Sequence, residues 1–407
     1  MKLLFICQWF PPEHTPIGYM LKELAEDLTA HGHQVTIITG YPNHPSGVVY
    51  EGYVKRFRSI ERQHGLTIIR CYLYTSPKKS IARRLLNFLS FAGTSFLTAL
   101  TLERQDLLFM VSPPLTNGLM AWLLYRLRGL RYIFNVQDIY PDAAIEHGIL
   151  SNRLLIAVLQ RLERLIYRNA AMNVVISEGF RSNLRAKKVS DKAIAVIGNW
   201  IDTNEIVPLQ RDNPFAMRHG LTEKFVVLYA GTIGLISGAG IMLEVARKLR
   251  HYPDILFLFV GEGVVAGELA ATVAHEKLEQ VKMLPFQPRA LLPEVLSSAD
   301  LTVVTLLKEK ARTSVPSKVI GYMAAARPVV ASVDRDSDTW RLVEEAGAGM
   351  CTEAEDADAL ATAILSFYNN RDMVYRCGAN ARHYLLQHHS RSSITARYEA
   401  LFTSALA

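Results

Sequence analysis

The stretch FVVLYAGTIGLISGAGIMLEVARKL, residues 225–249, sets the fold class. Residues 225–229 are an unbroken apolar run ending at Ala230, the pattern of a strand covered on both faces. Gly231, Gly234, Gly238 and Gly240 then allow a tight, donor-rich turn, and residues 241–249 alternate as an amphipathic helix. Strand, glycine turn and helix form the repeating unit of a doubly wound α/β sheet.

The same alternation continues in both directions. Toward the C-terminus the strand candidates are 255–260, 281–284, 301–306 and 328–332, which make a second sheet with 225–229. Toward the N-terminus they are 3–7, 34–39, 67–71, 107–111, 132–136, 173–176 and 193–197. Between the two series, residues 199–214 are polar, hold two prolines and lack periodicity, as an interdomain linker would. A chain of 407 residues is also too long for one core and suits two domains. The last 50 residues are helical in pattern, with a separate terminal helix from residue 390.

Residues 85–102 are uncharged and sit at the lower length limit for a membrane span. Six polar residues from Asn87 to Thr101 interrupt them and a strand follows at once, so a span is rejected. A mostly buried helix against the sheet is expected, with an interfacial helix as the alternative.

Composition is that of a globular protein, with 50% hydrophobic and 20% charged residues. The four cysteines show no C-x-x-C spacing and read as buried thiols of a reducing compartment. No export signal opens the chain, so a cytoplasmic location is expected. The net charge of +7 is uneven: residues 1–200 carry 24 Lys and Arg against 14 Asp and Glu, and residues 201–407 carry 21 against 24. The basic half points to an anionic partner, which the cytoplasmic membrane leaflet would supply. Its basic residues are scattered and not interleaved with aromatics, which argues against nucleic acid.

Open parallel sheets bind ligands beyond the carboxyl ends of their strands. The loops there hold Gly18 after the first strand, the glycine turn at Gly231 and Gly234, and Glu262 between Gly261 and Gly263. Pro316, Ser317 and Lys318 open a helix that leads into the strand at 328–332. Ser317 suits the N-cap, whereas Lys318 has the wrong sign for a helix start, so a bound anion is expected beside it. Asp334, Asp336 and Asp338 alternate as in a metal-binding D-x-D but read more simply as a polar loop opening a helix; no metal and no other cofactor is expected.

Together the segments LLFICQWFPPEHTPIG, HGHQVTIIT, NVQDIYPD, GNWID, YAGTIG, FVGEG, SSADLTVV and PSKVIGYMAAARPVVAS resemble the family 4 (group 1) retaining glycosyltransferases, and in particular a branch of bacterial O-antigen and capsule transferases for N-acetyl-L-fucosamine and related amino sugars. The resemblance implies the GT-B fold: two Rossmann-like domains facing across a cleft, an acceptor domain at 1–200 braced by a C-terminal helix at 390–407, and a nucleotide-sugar domain at 201–389. It implies transfer from a UDP-sugar to a lipid-linked acceptor such as a polyprenyl diphosphate, or to a glycan, in cell-surface polysaccharide synthesis at the inner face of the membrane. It places Gly18 beside the donor diphosphate, Asp138 by the reacting sugar, Gly231 and Gly234 at the phosphates, Phe286 and Gln287 near the base, and Ser317 and Lys318 by the donor. Two glutamates usual in the family are replaced by Thr313 and Gly321, and Arg and Lys usual after the first glycine loop by Leu235 and Gly238. Lys318, Arg312 and Glu309 are the candidates to replace their contacts. An NDP-sugar 2-epimerase using Glu13, His14, His44 and Asp138, and a non-catalytic nucleotide-sugar-binding module, are the competing readings.

Overall fold

The computed structural model describes residues 1–13, 15–78, 80–146, 148, 150–309 and 318–406. It contains two compact units, residues 1–198 with 394–407, and residues 199–393.

The first unit carries strands β1 (Lys2–Ile6), β2 (Gln34–Gly40), β3 (Arg58–Gln63), β4 (Leu66–Cys71), β5 (Leu107–Ser112), β6 (Tyr132–Val136), β7 (Met172–Val175) and β8 (Ile194–Val196). Its helices are α1 (Pro16–Ala30), α2 (Ile81–Leu100), α3 (Leu115–Arg128), α4 (Asp142–Glu146), α5 (Arg153–Asn169) and α6 (Glu178–Ala186), with α15 (Arg391–Leu406) at the C-terminal end of the chain. The sheet order is β3-β4-β2-β1-β5-β6-β7-β8, parallel except for β3. That exception was not visible in the apolar pattern, because RSIERQ is largely exposed at the sheet edge. His64 and Gly65, at φ of 49° and 77°, make the two-residue hairpin that turns β3 into β4.

Side-chain alternation along β1 divides the unit's interior. Leu4 and Ile6 join the core shared with Phe91 of α2, Met120 and Leu124 of α3, and Ile166 and Tyr167 of α5. Phe5 faces the other way, where its ring lies 4.9 Å from Phe109 and 6.1 Å from Phe402. Phe402 belongs to α15 (Arg391–Leu406), whose Tyr398 accepts a 2.9 Å hydrogen bond from Asn135 of β6. Glu399 adds hydrogen bonds to His31 and His33 just beyond α1.

The second unit contains β9 (Phe225–Ala230), β10 (Ile255–Val260), β11 (Val281–Leu284), β12 (Leu301–Thr305), β13 (Val329–Ser332) and β14 (Gly349–Thr352). Its helices are α7 (Pro214–Arg218), α8 (Ile241–Lys248), α9 (Ala266–Glu276), α10 (Leu292–Ser297), α11 (Lys318–Ala324), α12 (Asp338–Glu345), α13 (Ala357–Tyr368) and α14 (Arg371–His388). All six strands are parallel, in the order β11-β10-β9-β12-β13-β14. Val226 and Leu228 of β9 face the core with α11 and α14, while Val227 and Tyr229 face the core with α8 and α13. Both units are therefore α/β sheets of the Rossmann kind.

The stretch at 199–214 begins where the second unit begins and is packed onto that unit: Ile206 is buried, and Arg211 reaches Asp300 at 2.9 Å and the carbonyl of Leu221 at 2.8 Å. One expectation changes. Helix α2 is not mostly buried. Its polar residues face the protein, where Asn87 donates to the Tyr74 carbonyl at 2.6 Å, Ser90 accepts the Tyr74 amide at 2.7 Å and Thr94 donates to the Tyr72 carbonyl at 2.6 Å. These bonds turn Leu85, Leu86, Leu89 and Leu97 outward, each about half exposed.

Candidate functional site

In the second sheet the connection direction reverses between β9 and β12, and such a switch point is where a doubly wound sheet opens a crevice at its carboxyl edge. Five of the sequence-selected residues lie on the loops of that edge: Gly231 and Gly234 after β9, Glu262 after β10, and Phe286 and Gln287 after β11. Glu309 follows β12, and Lys318 opens α11. Arg312, Thr313 and Ser317 lie outside the described residues.

Backbone contacts bring the β9 and β10 loops side by side. The amide of Gly231 donates to Val260 at 2.9 Å and that of Ile233 to Glu262 at 2.8 Å. A Cβ on Gly261 would sit 2.0 Å from the Gly231 carbonyl oxygen, and one on Gly263 would sit 2.2 Å from that of Ile233. Those two glycines are thus required by the approach of one loop to the other. Further on, Ser237 donates to the Gly234 carbonyl at 2.7 Å, and Thr305 of β12 donates to the Ser237 carbonyl at 2.6 Å. The turn is therefore held from both sides.

Beneath it lies Lys318. Its Nζ donates to Tyr229 Oη at 2.6 Å and stands 3.8 Å from the centre of that ring. Tyr229 Oη in turn donates to the Thr232 carbonyl at 3.0 Å, so the tyrosine ties the lysine to the glycine turn. Gly231 presents its Cα toward the lysine: a Cβ there would lie 3.5 Å from Lys318 Cε. Tyr322 fixes α11 to the end of β9 by hydrogen bonds to the amide and carbonyl of Ala230, at 2.8 and 3.0 Å. Burial alone pushes the Lys318 ammonium down to about 7, and no carboxylate among the described residues pairs with it. Gly321, one turn along α11, supplies none. Burial also pushes the Tyr229 phenol up to about 12, which keeps it a neutral hydrogen-bonding partner. A buried amine without a carboxylate partner is a group whose charged form a nearby anion would stabilise. Tyr229 was missed in the sequence because its apolar body satisfies the strand pattern; its place just before Ala-Gly was the available signal.

Glu262 and Glu309 are exposed, and Glu309 has a left-handed φ of 64°. Phe286 is half exposed, and Gln287 donates to the Pro285 carbonyl at 3.0 Å. None of these four side chains forms a hydrogen bond or ion pair with Lys318, whose ammonium is held by Tyr229.

On the first unit, Asp138 is exposed beyond β6. It stands near Tyr140, whose phenol is raised by burial, with Arg84 lowering it and Asp138 raising it to a smaller extent. Gly18 is buried in the first turn of α1, its amide held by Thr15 at 3.3 Å, and a Cβ there would lie 3.3 Å from the Trp9 carbonyl oxygen. The glycine is required by that packing. Glu13 is fully buried and accepts the amides of Asn43 and His44 at 2.9 Å each, which joins the β1 and β2 loops. Burial raises its carboxyl despite those amides and Arg70. His14 lies outside the described residues.

Among the described residues no group of three or more His, Cys, Asp or Glu could hold a metal, and no helix is long and apolar enough to cross a membrane. Asp338 opens α12 behind the cap Ser337 and pairs with Arg341 at 2.5 Å.

Residues 17–200 match the family described as Glycosyl transferase 4-like domain, and residues 215–384 match Glycosyl transferases group 1. The chain is 29% identical over 374 residues to the putative colanic acid biosynthesis glycosyl transferase WcaI of Escherichia coli (strain K12), covering 89% of this chain and 91% of that one. It is 25% identical over 279 residues to the probable glycosyltransferase WbjE of Pseudomonas aeruginosa, covering 68% and 69%. In fold it is similar to Anabaena Alr3699/HepE, solved in complex with UDP and glucose, with a TM-score of 0.73, 17% identity, and coverage of 99% of this chain and 100% of that one.

Proposed function

The chain belongs to the group 1, family-4-like glycosyltransferases of GT-B fold, and on that premise we propose that it transfers an N-acetylated amino sugar, with retention of configuration, from a UDP-sugar to a lipid-linked acceptor such as a polyprenyl diphosphate glycan. The observation that carries this reading is Lys318, a cation tied to a glycine turn with no carboxylate beside it. The α/β switch point, the turn amides and Lys318 suit a diphosphate, and a similar fold that holds UDP supports a uridine nucleotide.

Transfer breaks the bond between the anomeric carbon and the diphosphate oxygen, and the electron pair leaves with UDP. Lys318 and the Thr232 and Gly234 amides of the turn, which the β10 loop does not engage, stabilise that developing charge, preorganised where no reorientation is needed. A bond then forms from the acceptor oxygen to the anomeric carbon, and the hydroxyl proton passes to the departing diphosphate. The first unit takes the acceptor, and Asp138 orients its hydroxyl or steadies positive charge on the sugar.

The name of the Escherichia coli relative, a putative colanic acid biosynthesis glycosyl transferase, supports a place in cell-surface polysaccharide synthesis. A lipid-linked acceptor would hold the enzyme at the inner face of the cytoplasmic membrane, and the basic first half of the chain suits that surface. Incubation with UDP-sugars, with and without a polyprenyl diphosphate-linked acceptor, tests the reading. Sugar transferred to the acceptor supports it, an isomerised donor replaces it with epimerase chemistry, and tight UDP binding without turnover reduces it to a binding module.

A further inference from the structure

We propose that the outer face of the layer formed by α2, α3 and α5 is a docking surface for an anionic lipid bilayer. The inference rests on the lipid-linked acceptor reading and adds to it the surface that meets the membrane.

These three helices share the core beneath the Leu4 and Ile6 side of the first sheet, so they lie in one layer. Each connects two strands that run parallel, so each begins at the carboxyl edge where the ligand loops open. Helix α2 is inverted relative to a water-facing helix. Ser95 and Thr98 are buried and Asn87, Ser90 and Thr94 bond the backbone of the chain after β4, while Leu85, Leu86 and Leu89 point out. Helix α5 presents Leu154, 77% exposed, with Leu155 and Val158 in its first two turns. In α3, between them, Leu119, Trp122 and Leu123 remain partly exposed. So many exposed large apolar side chains on one helical layer mark a surface that meets something other than water.

Charge selects the occupant. The three helices carry eight arginines and one carboxylate, Glu163. That carboxylate is buried and held by Lys187 at 2.6 Å, so the outer face presents cations only. Lys78 and Arg84 before and within α2, and Arg153, Arg161, Arg164 and Arg168 of α5, are exposed. Exposed apolar side chains together with arginines, on helices that expose no carboxylate of their own, match lipid tails beneath anionic headgroups. A protein partner or a second copy would ordinarily be met with charges of both signs.

The test is co-sedimentation of the full-length protein with vesicles of equal parts phosphatidylglycerol and phosphatidylcholine, against pure phosphatidylcholine, at low salt. Wild type is expected to partition onto the anionic vesicles only. The triple variant Arg153→Glu/Arg161→Glu/Arg164→Glu should bind at least about 100-fold more weakly. Leu85→Ser/Leu86→Ser/Leu89→Ser should lose about as much through the apolar term. All six positions are on the surface, and a far-UV spectrum and a thermal unfolding transition unchanged from wild type in both variants show that they are folded. Absence of wild-type binding, or binding that both variants retain, overturns the inference. So does a wild-type dimer that the leucine variant converts to monomer, since the face would then belong to a second copy. Failure of wild type to bind UDP while it still binds vesicles would instead sink the donor-site reading and leave this surface standing.

Discussion

Raising the pH from 7 to 9 isolates Lys318 from the rest of the donor site. Burial takes its ammonium from the ordinary 10.5 down to about 7, because the charged form has lost water and gained no counter-charge. A diphosphate supplies that charge and moves the lysine back up. Above pH 7 the free protein holds a neutral amine, so binding must take up a proton, and each further pH unit weakens UDP by about tenfold. Between pH 7 and 9 the affinity should fall by about 50-fold. UDP does not mask the effect, since a terminal phosphate loses its second proton near pH ~6 and is fully charged across this window. Calorimetric titration in two buffers of different ionisation heat reads both quantities, with about one proton taken up per UDP at pH ~8. Lys318→Met should weaken UDP at pH 7 and flatten the dependence. The same linkage acts on folding. The lysine's pKa is lower in the folded than in the unfolded chain, so the unfolded chain binds the extra proton and stability rises with pH from about 7 to about 10. Lys318→Met should lose that rise and be no less stable than wild type at pH 7. An affinity flat across pH 7 to 9, with no proton uptake, refutes the reasoning.

The other expected outcomes are as direct. Gly261→Ala forces a methyl to 2.0 Å from the Gly231 oxygen, so the two loops must part; UDP affinity should fall by at least about tenfold, read by the same calorimetry. Phe402→Ala removes a buried ring that stands between Phe5, Phe109 and Tyr398, and urea unfolding should show a loss of about 3–5 kcal/mol. Asp138→Asn should lower kcat by at least about tenfold while leaving UDP affinity unchanged, and weakened UDP instead would place the residue's effect on the donor.

Strands buried on both faces were legible, because a continuous apolar run needs no tertiary context. Residues 255–260 and 281–284 are strands with the expected bounds, and 225–229 extends by one residue to Ala230. The edge strands β3 and β14 were not legible: RSIERQ and GMCT are half exposed and carry no apolar run, and pairing with a neighbour alone makes them strands. Helix α2 misled for a related reason. Its uncharged composition reads as interior, but the serine, threonine and asparagine side chains find backbone partners inside and leave the leucines outside. At the candidate site the glycine turns and Lys318 stood out as sequence. The hydrogen bond from Lys318 to Tyr229 did not, since it joins residues 89 positions apart. Nor could spacing separate glycines needed for loop packing, Gly18, Gly261 and Gly263, from Gly231, which opens onto the lysine.

The central claim is that the second unit grips a nucleotide diphosphate at its switch point. Backbone amide chemical-shift mapping of the full chain with UDP tests it most directly. The account predicts that the largest changes fall on Gly231, Thr232, Gly234 and Lys318. Changes concentrated on other strand ends, with these four amides unmoved, would contradict it.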